Sequence, residues 1–419
     1  MKFEDIQELK KNKKLVKNNI NFAKVMAVRL YPEGWIYTLK CLIFSIVYRV
    51  NLTYVDNSSD ILLSYNFNEG KRKDYDYIIN KMKKIIGRSN ELKINYGIYP
   101  ARILHEIKMI VKKLYLYRNL DLSFSDKIRV SALDNCYDKV LNELGKIEIN
   151  VSLYISFCDS YLEENLVAQY LGQKDIITAT LQHGQYLHIK KGSETKDAEG
   201  YLNFVSDYLF SWGEVTKLEF LKANIQEERI LTLGALKEFS NRNIIKNNSL
   251  SNQFGLILNG ETHASTNIKM IEISNRIAEK YSLSYFIRPH PMNNMKKYLR
   301  FVDDKFYLGI VDDTMNYGNN LDFSILNMTG VFVELLSNNA PFFVFYDDGT
   351  EDIFKIDMIK FENISEFHIK YQYLNNNKET FLQLLSDQYY RFNCCEDEKE
   401  LISNYSKALE NILGRKLNE

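Results

Sequence analysis

The sequence predicts an α/β protein in which two domains, each a largely parallel sheet covered by helices, face a central cleft behind an extra helical N-terminal region. Three observations carry this. From about residue 149 the chain alternates short apolar runs with helical stretches of roughly 10–15 residues, the signature of βαβ units. Residues 241–253 are polar and asparagine-rich and read as a linker. At Phe254 a second strand–helix series begins. The reading is therefore an acceptor-side domain over 1–240 (helical over about 1–148, α/β core over about 149–235), a donor domain over 254–385 and a helical segment over 386–419.

Taken in order, residues 3–30 read as one helix with a lysine-rich face, broken at Pro32-Glu33-Gly34. Trp35–Val50 reads as a further helix, either buried or laid on an anionic membrane surface behind Lys10, Lys11, Lys13, Lys14 and Lys17. Asp60–Tyr65 reads as a strand. Helical spacing of apolar residues follows over Asp74–Ile86, Ala101–Tyr117 and Ser125–Leu144. Asn150–Phe157 is a strand, and Asp159–Leu171 a helix capped by Asp159 or Ser160 and stopped by Gly172. Strands are expected at Ile176–Leu181, Tyr208–Ser211 and Arg229–Leu233. In the second series they fall at Phe254–Leu258, Tyr285–Arg288, Phe306–Val311, Asp322–Leu326 and Phe342–Phe345. Ala264–Lys280, Gly330–Leu336 and Glu396–Leu413 read as helices.

Composition narrows the function. The 419 residues suffice for two or three cores, and 54 basic residues balance 54 acidic ones, without the basic excess of a non-specific nucleic-acid binder. The first fifty residues do hold ten Lys/Arg against four Asp/Glu. Five scattered cysteines with no metal spacing point to reduced thiols in a cytoplasmic protein, and no signal peptide is expected. Trp35–Val50 is too short and too charged to span a bilayer. No metal motif and no serine-hydrolase elbow is present, so no cofactor and no metal are expected.

Four stretches can carry chemistry. In Tyr285-Phe-Ile-Arg288-Pro289-His290-Pro291, two of the chain's five prolines clamp one histidine at a strand end, where open α/β sheets bind ligands. Arg288 beside it offers a planar donor fork suited to phosphate. In Gln182-His183-Gly184-Gln185, His183 is placed to act as a general base, or else is satisfied by local bonds in a tight turn. His188 follows in the same loop, and 190–200 reads as a mobile lid. Asn259-Gly260-Glu261-Thr262 opens a helix and is either an anion site or an ordinary capped turn. Thr329, Gly330 and Glu334, ahead of Pro341, suit a diphosphate and a ribose.

The order Gln182-His183-Gly184, then Arg288-Pro289-His290-Pro291, then Thr329-Gly330…Glu334…Pro341 resembles the GT-B glycosyltransferases of bacterial surface polymers, two Rossmann-like domains around a cleft. Within them it is similar to capsule polysaccharide biosynthesis proteins and to the CDP-glycerol glycerophosphotransferase-like group. The resemblance covers about residues 150–350 and departs in having Met328 where many relatives carry a hydroxyl residue. It implies a cytoplasmic glycosyltransferase, peripheral on the cytoplasmic membrane face if the amino-terminal region docks there, with a nucleotide-sugar donor and a polysaccharide or lipid-linked acceptor. His290 and Arg288 would contact the donor phosphate, with Asn259, Gly260, Glu261, Thr262, Thr329, Gly330 and Glu334 around donor and ribose. His183 would be catalytic, with Gln182, Gly184, Gln185 and His188 on the acceptor side. A CDP-polyol transferase, an epimerase and a non-catalytic binding scaffold are the alternatives.

Overall fold

The computed structural model describes all residues except 67–71, 100–101, 187–193, 195, 238–250, 292, 312–320, 328, 347–351 and 418–419. Its N-terminal half begins with α1 (Phe3–Lys10), a short hairpin of β1 (Val16–Lys17) and β2 (Ile20–Asn21), α2 (Phe22–Leu30) and α3 (Trp35–Val47). Then follow β3 (Tyr48–Val55), β4 (Ile61–Ser64), α4 (Lys73–Ile86), β5 (Asn90–Ile98), α5 (Ile103–Leu116) and α6 (Phe124–Leu144). The half closes with β6 (Leu153–Ser156), α7 (Leu162–Gly172), β7 (Ile177–Leu181), α8 (Glu199–Leu202), β8 (Tyr208–Ser211), α9 (Glu214–Lys222) and β9 (Ile230–Thr232).

The second half runs β10 (Gln253–Ile257), α10 (Ala264–Tyr281), β11 (Ser284–Arg288), β12 (Tyr307–Ile310), β13 (Phe323–Leu326), α11 (Val331–Ser337), β14 (Phe342–Phe345) and β15 (Lys360–Phe361). Three helices end the chain: α12 (Ile364–Asn376), α13 (Lys378–Phe392) and α14 (Glu398–Leu413).

Two doubly wound sheets result. The first has the order β3-β5-β4-β6-β7-β8-β9, parallel except for the antiparallel edge pair β3–β5; the second, β12-β11-β10-β13-β14-β15, is parallel throughout. Helices cover both faces, so the central strands are buried apolar runs rather than alternating ones: Leu153–Ser156, Phe323–Leu326 and Phe342–Phe345 are buried at every position. In the second sheet the chain starts near the middle, winds to β12 and then returns to wind the other way; in the first it enters at the edge strand β3, passes to β4, fills in β5 between them and then winds from β6 to β9. The strand order therefore reverses beside β4 in the first sheet and beside β10 in the second, and such switch points leave a crevice at the carboxyl strand ends.

Several expectations need correction. The sheet of the first half starts at Tyr48, not near 149, because β3, β4 and β5 join the later strands; the first 148 residues are only partly helical. Residues 3–30 form two helices, since Asn18 and Asn19 turn the chain back at positive φ between β1 and β2. Of the amino-terminal lysines, Lys10 is drawn inside to Glu199 and Lys17 to Asp134 and Asp138. Tyr161, not Asp159 or Ser160, precedes α7; the Asp159 carboxylate instead accepts from the amides of Val205 and Ser206, and Gly172 is the last helical residue. The later part of the expected lid is fixed, with Ala198, Glu199 and Tyr201 buried and Glu199 accepting from Tyr31 Oη at 2.7 Å. The linker expected over 241–253 lies outside the described residues up to 250, and Gln253 already belongs to β10.

The chain crosses between the halves again near residue 393. Leu401, Tyr405 and Leu409 of α14 pack with Leu63, Ile155 and Phe210 of the first sheet. Gly213 makes the crossing compact: a Cβ there would lie 2.6 Å from the Arg391 carbonyl oxygen and the Phe392 carbonyl carbon. Backbone cannot yield as a side-chain tip does. Gly213→Ala is accordingly expected to destabilise by about 1–3 kcal/mol, as overpacking does, and this is measured as a lowered urea midpoint with unchanged m-value.

Candidate active site in the interdomain cleft

At the switch point of the second sheet, β10, β11 and β13 end side by side and deliver Asn259-Gly260, Pro289-His290 and Asn327 with Thr329. An asparagine ladder locks them together. Asn259 Nδ2 donates to Asn327 Oδ1 at 2.8 Å, and Asn327 Nδ2 to the Phe345 carbonyl at 2.7 Å. Asn267 and Asn293 both donate to the Asn259 carbonyl at 2.9 Å. Asn259 is thus first a strut that fixes three strand ends. The His290 ring lies against Gly260, its atoms 3.7–3.9 Å from where a Cβ would be. Arg288 leaves its Nε buried without a partner.

Across the cleft, β7 ends in Gln182-His183-Gly184. Gln182 is buried and structural: Oε1 accepts from the Trp212 amide at 2.7 Å, and its carbonyl from Trp212 Nε1 at 2.8 Å. His183 sits in an aromatic box. Its ring lies 5.0 Å from Phe157, 5.4 Å from Tyr75 edge-on and 6.3 Å from Tyr186. The ring is tied to the backbone of Leu181, while Nδ1 is buried without a partner. Gln185 Oε1 is likewise unpaired. Buried polar atoms are normally satisfied, so such orphans on facing loops mark where a polar ligand belongs.

A residue that sequence reading missed carries its charge to both histidines. Arg72, just before α4, stacks on Tyr75 at 3.8 Å, donates to Tyr75 Oη at 2.9 Å and to Asp74 Oδ1 at 3.0 Å. Burial is the main cause that pushes both His183 and His290 down to about 4, and the Arg72 charge adds to it at both rings while Asp74 opposes it. The same guanidinium therefore bears on both rings. Both imidazoles are neutral at pH 7, so each can donate to an anion or accept a proton.

The two halves touch directly here. A Cβ on Gly330 would lie 3.2 Å from the Gln185 amide nitrogen and 3.9 Å from Gly184 Cα, so the loop after β13 rests on the loop after β7. Lys237 adds a clasp, donating to Glu334 Oε1 at 2.8 Å and to the Gly330 carbonyl at 3.2 Å. His263 pairs with Asp197 across the cleft at 3.3 Å. The structure therefore brings His183, Gly184, Gln185, Gly260, Arg288, His290 and Gly330 together. It turns Glu261 elsewhere, toward the Asn294 amide at 2.9 Å and Lys297 at 3.0 Å. Thr262 lies in the short turn ahead of α10, Thr329 directly precedes Gly330, and Glu334 is held by Lys237. His188 lies outside the described residues.

The sequence matches no family model and no curated protein. Among solved structures, a UDP-GlcNAc 2-epimerase from Neisseria meningitidis bound to UDP-GlcNAc aligns at TM-score 0.52 and 12% identity, over 85% of this chain and 100% of that one. The fold is GT-B. Two further GT-B neighbours are an Anabaena protein, HepE, in complex with UDP (TM-score 0.47, 10% identity, 84% and 99% covered) and the pneumococcal O-GlcNAc transferase GtfA in complex with UDP and GlcNAc (0.42, 13%, 67% and 60%).

The depressed histidines give the fold a pH dependence of definite sign. Unfolded, each binds a proton near pH 6.5; folded, only near pH 4. Between these values the unfolded chain holds more protons, so stability falls as pH drops from about 6.5 to 4. His183→Phe, which fits an aromatic box, is expected to flatten that fall in urea melts taken across the window.

Proposed function

We propose that this chain is a glycosyltransferase that moves a sugar from a nucleotide-activated donor to a capsular or related surface polysaccharide, or to its lipid-linked precursor, at the cytoplasmic membrane face and without a metal ion. The observation that carries the reading is the convergence of His290, Arg288 and His183 on one GT-B cleft, around unpartnered buried donors and acceptors. That the N. meningitidis neighbour is an enzyme solved with a nucleotide sugar agrees with it.

In this reading the donor diphosphate lies at the ends of β10, β11 and β13. Arg288 Nε and the neutral His290 ring donate to its oxygens, and Arg72 faces it from the other half. The acceptor hydroxyl oxygen forms the new bond to the anomeric carbon, the carbon–phosphate-oxygen bond breaks, and the diphosphate leaves with the electron pair. Its growing charge meets donors already in place. The hydroxyl proton passes to His183 Nδ1, whose affinity for it rises once an anion enters the cleft. The contact of Gly330 with Gln185 keeps water from competing with the acceptor.

Donor screening by calorimetry, followed by turnover assays with and without acceptor, tests this. A charge-assisted hydrogen bond is worth about 1.5–3 kcal/mol, so His290→Ala and Arg288→Ala should each raise the donor Kd about ten-fold or more. His183→Ala should leave Kd nearly unchanged and cut turnover about 100-fold or more. At pH 5–6, donor binding should take up protons, because the anion lifts the His290 and His183 pKa values back toward their ordinary value; His290→Ala should reduce that uptake. Conversion of donor without acceptor would make the protein an epimerase, and preference for a CDP-polyol a polyol-phosphate transferase. Binding indifferent to all three variants would end the proposal.

A further inference from the structure

The apolar run Trp35–Val50 is not a buried helix. Its helical part, α3, packs beside α5 on α6, which is anchored underneath by Lys139 Nζ on the Ser45 carbonyl and by Asn135 on Ser45 Oγ. The faces turned away from α6 are apolar and uncovered. On α3, Ile36 is 70%, Leu39 56% and Ile43 48% exposed; on α5, Leu104 is 84%, Val111 58% and Tyr115 67% exposed. With Ile107 of α5, itself 42% exposed, these positions recur at three- and four-residue spacing, so each helix presents a continuous ridge. Exposure on this scale across adjacent helices is unusual for a surface that meets only water.

Charge selects the occupant. Lys40, Lys108 and Lys112 lie exposed among the ridges. α3 carries no acid, and the one acid of α5, Glu106, is turned inward to Lys139 at 3.0 Å and Asn135 at 2.7 Å. A second copy docked about a two-fold axis would set the same lysines against one another without a counter-charge. An anionic bilayer surface accepts both components, the apolar ridges at the acyl boundary and the lysines at the phosphates. Among the described residues no helix is long and apolar enough to cross a membrane.

We infer that the α3–α5 face docks the protein, lying flat, on an anionic phospholipid surface. The inference is independent of the nucleotide-sugar reading, because it concerns a different surface and its test involves no turnover.

The test is co-sedimentation of the full chain with vesicles of phosphatidylcholine alone or with phosphatidylglycerol at about one lipid in three, with sedimentation velocity alongside. Binding is expected to the anionic vesicles only, weakening with salt. Each lysine near such a surface is worth about five-fold in partitioning. Lys108→Glu with Lys112→Glu should therefore cost about 25-fold or more, and Leu104→Glu with Val111→Glu a comparable amount. All four positions are exposed, and circular dichroism and an unchanged urea midpoint check that the variants fold. Absence of vesicle binding by the parent chain, equal binding to neutral vesicles, or variants that bind undiminished would overturn the inference. So would a parent dimer that the Leu104→Glu, Val111→Glu pair dissociates.

Discussion

The organisation of this molecule depends on the approach of two loops, one from each sheet. Gly330, at the end of the β13 loop, lies on the backbone of Gly184 and Gln185, where a Cβ would come within 3.2 Å of the Gln185 amide nitrogen. That contact sets the loop of His183 against the sheet whose neighbouring strand ends carry His290. The clasp of Lys237 on Glu334 and the pair His263–Asp197 hold the same closure from either side. These contacts are partly polar, as is common where two halves of one chain meet.

The electrostatics of the cleft follow from this arrangement. Burial keeps both histidines uncharged, and Arg72 reinforces the effect at each, so the resting cleft carries its positive charge on arginine rather than on histidine. The Asp74 carboxylate beside Arg72 partly neutralises even that. Arg288 Nε is left open, and under the proposed function an anion in the cleft would meet it and oppose the balance at both rings. The asparagine ladder through Asn259, Asn267, Asn293 and Asn327 holds the strand ends.

Much of this was legible in the sequence, for physical reasons. Buried parallel strands must be apolar on both faces, so Phe342–Phe345 and Leu153–Ser156 stand out as short runs. Proline restricts backbone enough that His290 announces a fixed strand end. What escaped was of another kind. β3 is the edge strand and β5 its antiparallel neighbour, and their alternation, as in Leu92 and Ile94 against Lys93 and Asn95, is diluted by charged and tyrosine positions. The single-helix reading of residues 3–30 failed where two asparagines adopt positive φ. Glu261 and Glu334 were assigned by residue type, but neighbouring lysines hold them. Arg72 carries no motif at all, and only the winding of β4 next to β6 brings it to the histidines. Sequence alone also left α3 open between burial and a membrane surface, because its composition suits either; its packing on α6 exposes the ridge.

The account stands on two histidines, distant in sequence, sharing one ligand. Histidine resonances in a selectively labelled chain, followed as UDP and then a UDP-sugar are added, test it most directly. The account predicts that the signals of His183 and His290 both shift and saturate together, while His105 on the outer helix and His368, bonded to Tyr281, stay still. A ligand that moves only one of the pair, or binds without moving either, would contradict it.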